Sequence, residues 1–461
     1  MCKVVFYCLL LVVLCGCTVG PNYRRPVVET PLAWRFEDKE ARQIGNTVWW
    51  EQFNDPVLNE LIQEALKQNK DIKIAAARVE EFMGRYGTAR AALFPQVNAG
   101  ASAGRSRITE LGSTPLSPLT ENPANNYTAF VGAGWELDLW GKLRRANEAA
   151  LADLLSQEAG RAAVILTLVT STASAYVNLC NLDMQLEIAK RTAQSRKESY
   201  DLFQLRFREG VISELELSQV KSEYEQALSI IPLLEKVIAQ QENALSVLLG
   251  RNPGPMPRGK KMDDLILPTV PADLPSDLLT KRPDIRQAEQ NLIAANARIG
   301  VAKSLYYPSI SLTGSFGVMS TDLSNLFTGP ARIWNWTVPV NVPIFTGGAI
   351  RGQVQSAEAL QQQTLLRYQQ TIQSAFREVE DALIDQQRSR QALEIQTRQV
   401  ESLYKYKRIA SLRFDNGYTS YIEVLDAERS LFNAELAQAQ TKGALFQALV
   451  NLNKATGGGW P

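Results

Sequence analysis

The sequence predicts an α+β membrane protein, internally duplicated, in which very long helices accompany a small number of short strands. Three observations predict it. The helical turn Arg206-Phe207-Arg208-Glu209-Gly210 returns as Arg413-Phe414-Asp415-Asn416-Gly417, an offset of 207 residues. Heptad patterns run for lengths that no globular core requires. Two pairs of strand-like segments alternate apolar and small polar residues with period 2.

The duplication comes first, because a missed repeat misassigns the whole chain. After the first turn the apolar positions are Leu217, Val220, Tyr224, Ala227, Ile231, Leu234, Ile238, Leu245 and Leu248, with Gln241 as a polar break. Adding 207 gives Val424, Ala427, Leu431, Ala434, Gln438, Thr441, Leu445, Ala448 and Leu452 in the same register. The helices before the turns agree: Leu365, Tyr368, Ile372, Ala375, Val379 and Ala382 keep heptad spacing, as do Leu168, Ala175, Leu182, Ala189 and Ala193. Residues 142–208 hold no proline, so one helix of roughly 100 Å is expected there at about 1.5 Å per residue. The front of each half repeats with offset 213: Asn69-Lys70-Asp71-Ile72 matches Arg282-Pro283-Asp284-Ile285, and Leu93-Phe94-Pro95 matches Tyr306-Tyr307-Pro308. Pro232 interrupts one heptad run and predicts a kink or a break.

The strands follow Pro95 and Pro308. Ile310, Leu312, Phe316 and Val318 alternate with Ser309, Ser311, Thr313 and Ser315. Trp334, Trp336, Val338, Val340, Val342 and Ile344 form one face of the next segment. In the first half Val97, Ala99, Ala101 and Ala103 precede a partner with Ala129, Val131, Ala133, Trp135 and Leu137 on one face and Phe130 as an exception on the other. The lengths suit tilted membrane strands of about 9–11 residues, apolar toward lipid and small-polar toward a lumen. Loops 104–126 and 319–333 suit the extracellular side. Four strands cannot close a barrel, and an open edge cannot face lipid. The barrel is therefore shared: two chains make eight strands, three make twelve.

Composition narrows the function. Residues 1–16 carry only Lys3, so the remainder has 48 basic and 48 acidic residues. No basic stripe calls for nucleic acid. There is no histidine, which removes the commonest general base and metal ligand. No nucleophile–base set, phosphate loop or metal-ligand cluster is legible, so neither an enzyme nor a cofactor is expected. Cys180 stands alone in the body and reads as a core residue. Lys3 and the apolar run Val4 to Leu14 form a signal peptide too short to span a bilayer as a helix. Leu14-Cys15-Gly16-Cys17 resembles a lipobox and makes Cys17 the lipidated first residue, carrying diacylglycerol and an N-acyl chain. Beyond it, no apolar run is read as a spanning helix.

Cys17-Thr18-Val19-Gly20-Pro21-Asn22-Tyr23-Arg24-Arg25-Pro26, Trp135-Glu136-Leu137-Asp138-Leu139-Trp140-Gly141-Lys142 and Leu274-Pro275-Ser276-Asp277-Leu278-Leu279-Thr280-Lys281-Arg282-Pro283-Asp284-Ile285-Arg286 together resemble the outer-membrane factor lipoproteins, the NodT branch of the TolC-like family, from Cys17 to Trp460. The resemblance implies a homotrimer in the bacterial outer membrane. Each chain would give four strands to a 12-stranded transmembrane barrel and long helices to a periplasmic α-barrel. Such an exit duct docks onto a periplasmic adaptor and an inner-membrane pump, often of the resistance-nodulation-division type, and performs transport without catalysis. Domain bounds follow: 1–16 signal peptide, 17–56 anchored extended segment, 57–250 first repeat, 251–274 equatorial linker, 275–461 second repeat.

The resemblance also marks sites. Gly210-Val211 and Gly417-Tyr418 would be the tips that meet the adaptor; their glycines also suit tight turns. Glu423 and Asp426 flank the seam residues Val424 and Ala427 and match the family's gate carboxylates, a pair absent from the first half, which has Glu216 and Gln219. The tyrosine and arginine that some relatives add to this lock align with Phe414 and Thr419 here.

Overall fold

The computed structural model describes residues 18–28, 30–31, 33–36, 48–109, 111, 121–267 and 275–458. Cys17 and the expected signal peptide, residues 1–16, lie outside the described residues. The elements are α1 (Pro56–Gln68), α2 (Lys70–Ala91), β1 (Gln96–Ser106), β2 (Ala124–Leu137), α3 (Lys142–Arg208), α4 (Glu214–Leu248), α5 (Pro275–Lys281), α6 (Pro283–Ser304), β3 (Ser309–Ser320), β4 (Arg332–Thr337), β5 (Val340–Asn341), α7 (Ala349–Asp415) and α8 (Tyr421–Ala455). They form two compact units, each drawn from three stretches: 1–27, 78–157 and 287–368, then 28–77, 158–286 and 369–461.

The first unit holds the sheet, antiparallel in the order β1-β2-β3-β4, with β5 beside β3. Register sorts the faces. Ala99, Val131, Phe316 and Trp334 lie in one row, and Val97, Ala133, Gly314 and Trp336 in the next row of the same face. The opposite face carries rows such as Asn98, Gly132, Ser315 and Asn335. Ser315 donates to Asn335 at 2.9 Å, and the Thr313 and Thr337 hydroxyls meet at 2.7 Å. Phe130, the exception, sits on the polar face between Gly100 and Gly317. A Cβ at Gly100 would lie 3.0 Å from the Phe130 ring, so the missing side chain makes its space. The last segment is not one strand over 334–344. It divides into β4 and β5, because Pro339 and Pro343 have no N–H for the ladder.

Beside the sheet, Asp138 caps α3 by accepting from the Leu143 and Arg144 amides, and Trp140 stacks on Tyr307 at 4.8 Å. The N-terminal segment lies along α6 and the start of α3. The Val19 amide donates to Trp140 O, and Asn296 donates to Pro21 O. Gly20 at φ 97° meets Gly300, where any Cβ would collide with backbone. Tyr23 and Arg25 both donate to Glu289.

The second unit is helical. Val169, Ala173, Tyr176, Val177 and Leu179 of α3 pack with Trp49, Trp50, Phe53, α1, α4 and Phe446 of α8. One stretch of α3 is apolar enough by length and composition to cross a membrane, contrary to the expectation that none exists beyond Cys17. More than half of it is buried, which spends its apolar surface on this core. The segment 251–267 joins the same core through Met256, Met262 and Leu265. Asp55, fully buried, accepts from Val57 N, Tyr176 Oη and Lys260 N, fixing α1, α3 and this segment together. Burial pushes the Cys180 thiol up to about 12, in keeping with an inert core residue. Pro232 does not break α4 into two elements; the helix runs through it.

The repeats share a joint as well as a pattern. Asn69 Nδ2 donates to Leu248 O, and Arg282 Nη1 donates to Ala455 O, both at 2.9 Å. These donors are related by the 213 offset and their acceptors by 207. Gly250 (φ 75°) and Gly457 (φ 95°) end the two returning helices and face Gln68-Asn69 and Lys281-Arg282 respectively. Two different side chains thus perform the same tie.

Candidate functional site

The two helix-to-helix turns are built alike. After α3, Val211 N bonds to Arg206 O and Gly210 N to Phe207 O; after α7, Tyr418 N bonds to Arg413 O and Gly417 N to Phe414 O. Each is a Schellman ending, with glycine in the left-handed conformation at φ 70° and 76°. Val211 and Tyr418 are strongly exposed just beyond them. Ser213 and Glu216 then form a capping box that starts α4.

Behind the turns, Phe203, Phe414 and Tyr421 pack as a triad, with centroids 4.2 to 6.3 Å apart. Arg206 lies over both phenylalanine rings. Burial pushes the Tyr421 phenol up to about 12, so it stays neutral. Phe414 therefore belongs to a hydrophobic plug and gives no hydrogen bond to the carboxylates. A phenylalanine at the position aligned with some relatives' tyrosine has no hydroxyl to donate, as the alignment implies.

Val424 and Ala427 are buried in the seam, while Glu423 and Asp426 stand half-exposed beside it. Glu423 lies 3.8 Å from Arg413. Asp426 Oδ1 accepts from Arg429 at 2.9 Å, and Tyr406 on α7 donates to Asp426 Oδ2 at 3.5 Å. Burial, then the charges of Asp426 and Glu423, raise the Tyr406 pKa, keeping the phenol a donor. Tyrosine and arginine are thus present at this point, supplied by Tyr406 and Arg429. These carboxylates share a groove of about 620 Å³ with Gln219 and Glu223 of α4.

Sequence reading missed Arg196. This guanidinium on α3 is 2 % exposed. Its Nη1 donates to Glu223 O at 2.6 Å, and its Nη2 lies 3.1 Å from Glu223 Oε2, an ion pair off the hydrogen-bond line. It also sits over the Phe432 ring at 5.4 Å. Burial lowers its pKa, while Glu223 and Glu428 oppose that. The only available signal was an arginine inside a heptad run.

Paired heptad helices with exposed turns, in a chain that also carries a sheet whose two faces differ in polarity, suit a subunit of a membrane channel. Residues 61–251 and 274–458 match the outer membrane efflux protein family. The chain is 35% identical over 460 residues to the probable efflux pump outer membrane protein TtgC of Pseudomonas putida, covering 97% of this chain and 94% of that protein. It is 34% identical over 465 residues to the cation efflux system protein CusC of Escherichia coli, covering 100% and 99%. The crystal structure of CusC matches with a TM-score of 0.85 at 33% identity, over 96% of this chain and 100% of that one. That of the Campylobacter jejuni CmeC outer membrane channel matches at 0.89 and 27% identity, over 96% and 95%. The chain belongs to the outer membrane efflux protein family. It is the outer-membrane component of an efflux pump, and its relatives are channels rather than enzymes.

Proposed function

We propose that three copies of this chain form a closed exit duct that conducts small molecules without catalysis, gated by Glu423 and Asp426. The observation that carries this reading is the sheet: among the described residues it has four main strands with β1 at an unpaired edge, and one face is apolar through its central rows, with Arg332, Arg105 and Asn125 toward one end. Unpaired backbone groups are not tolerated in hydrocarbon, so edges must meet those of other copies. Twelve strands leave a wider aqueous lumen than eight, and the family resemblance supports three chains. Threefold symmetry turns Glu423 and Asp426 into rings of carboxylates, which attract cations and resist close approach to each other.

Gly210-Val211 and Gly417-Tyr418 are the surfaces offered to a periplasmic adaptor, and engagement there opens the aperture. The pump beyond the adaptor is of the resistance-nodulation-division type. Cys17 carries the lipid that anchors the N-terminal segment. Relatives are named for toluene, antibiotic and cation efflux, so the cargo is a small molecule or ion selected mainly by the pump.

Planar-bilayer recording of purified protein beside Glu423→Ala/Asp426→Ala tests the reading. Wild type should give small, cation-preferring steps, and the double variant larger or less selective ones. Identical steps would remove these carboxylates from the gate. Silence from both folded proteins would favour a poreless, lipid-anchored adaptor.

A further inference from the structure

The duplication supplies an internal comparison for Arg196. Adding 207 to Arg196 and Glu223 gives Leu403 and Ser430. Leu403 packs against Val400, Leu431 and Ala434. The same place in the fold is filled by hydrocarbon in one repeat and by a guanidinium in the other. Replacing a buried ion pair with well-packed apolar groups is often neutral or stabilising. The helical packing therefore does not require a charge here.

What Arg196 has, and Leu403 lacks, is a line of charge ending at the carboxylates. Arg196 holds Glu223 through the backbone carbonyl at 2.6 Å and the carboxylate at 3.1 Å. Glu223 Oε1 faces Arg429 Nη1 at 4.0 Å. Arg429 in turn donates to Asp426 at 2.9 Å. The signs alternate along the line, which passes from α3 through α4 to α8. The Phe432 ring under Arg196 belongs to the same helix as Asp426 and lies one turn beyond Arg429.

Resting on the reading of Asp426 as a gate residue, we propose that Arg196 is a positioning residue for the gate. By anchoring Glu223, it holds Arg429 between Glu223 and Asp426 and so ties the first repeat's returning helix to the second's. The asymmetry follows: the carboxylate pair occurs in the second repeat alone, and the buried arginine that positions it occurs in the first alone.

The test is planar-bilayer conductance of the full-length purified protein. Arg196→Leu/Glu223→Ser gives the first repeat the residues its counterpart already accommodates. Its steps should exceed wild type by about two-fold or more, and adding Asp426→Ala should give no further increase, as expected for coupled sites. Arg191→Leu is the control, because it breaks another ion pair between α3 and α8, with Glu435 at 2.7 Å, that does not reach Asp426. It should leave the steps unchanged.

Wild-type steps from Arg196→Leu/Glu223→Ser, where Asp426→Ala enlarges them, would overturn the proposal and leave the gate standing. Additive increments, or equal enlargement by Arg191→Leu, would also overturn it, as generic loosening. If Asp426→Ala itself changes nothing, the gate reading fails and takes this proposal with it. Should the double variant not fold, Glu223→Gln keeps the side-chain shape and carries the same expectations.

Discussion

Glu289 receives hydrogen bonds from Tyr23 and twice from Arg25, and is the polar clasp for residues 18–25. Burial alone would raise its pKa, but the bonds from Arg25 and Tyr23 outweigh that and lower it. A depressed carboxylate stabilises the fold above its unfolded pKa and loses that stability as pH falls through the folded one. Amide exchange at residues 19–25, corrected for its intrinsic pH dependence, should therefore be slow at pH 7 and faster below the usual carboxylate range. Glu289→Gln should accelerate it at pH 7, by about 1–2 kcal/mol after discounting for the half-exposed Arg25. The sheet offers a second single-residue test. A Cβ at Gly317 would lie 2.4 Å from Ala129 O, whereas at Gly314 the nearest atom is 3.6 Å away. Gly317→Ala should lower the temperature at which the folded band is lost on heated gels, costing about 1–3 kcal/mol. Gly314→Ala should be tolerated.

At the scale of elements, the two turns are equivalent tests of one motif. Gly210 and Gly417 have open space around them, so alanine there meets no clash and suffers only the left-handed backbone. Each alanine should cost about 1–2 kcal/mol, and the two should cost alike in thermal melts. A large inequality would mean that one turn is held by something besides its own hydrogen bonds. In α4, Pro232 is exposed and costs the helix one backbone bond, while the corresponding Ala439 in α8 is fully buried. Pro232→Ala should raise the melting temperature, through a gain of about 1–3 kcal/mol. A fall would show that the helix uses the proline's geometry.

For the whole molecule, the duplication runs through both compact units. Residues 78–157 and 287–368 correspond in the first; in the second, residues 162–254 correspond to 369–461 at the 207 offset, and Asn69 corresponds to Arg282 at the 213 offset. The repeated joint at Asn69–Leu248 and Arg282–Ala455 shows that the halves preserve contacts as well as lengths. Native mass measurement of the detergent-extracted protein should give three chains, dissociating on heating. A monomer that still carries a folded sheet would contradict closure between copies, because the β1 edge would then face hydrocarbon unpaired.

The local periodicities were legible in the sequence because they are properties of single elements. Heptads mark which face of a helix is buried, period 2 marks which strand residues share a face, and the 207 offset carries both across the chain. Val424 and Ala427 were thus placed in the seam, with Glu423 and Asp426 beside it. Phe130 was marked as the exception on its strand. What one helix's pattern does not encode is which neighbour its flank will touch. The tertiary structure alone joined Arg196 to Glu223 and Arg429, brought Tyr406 to Asp426, and removed Phe414 into the aromatic triad. It alone laid Tyr23 and Arg25 against Glu289, more than 260 residues away in sequence. The physical reason is that burial of a face depends on hydrophobicity, which repeats along the chain. A hydrogen bond or ion pair depends on the positions of two particular atoms, which only the packing of several helices determines.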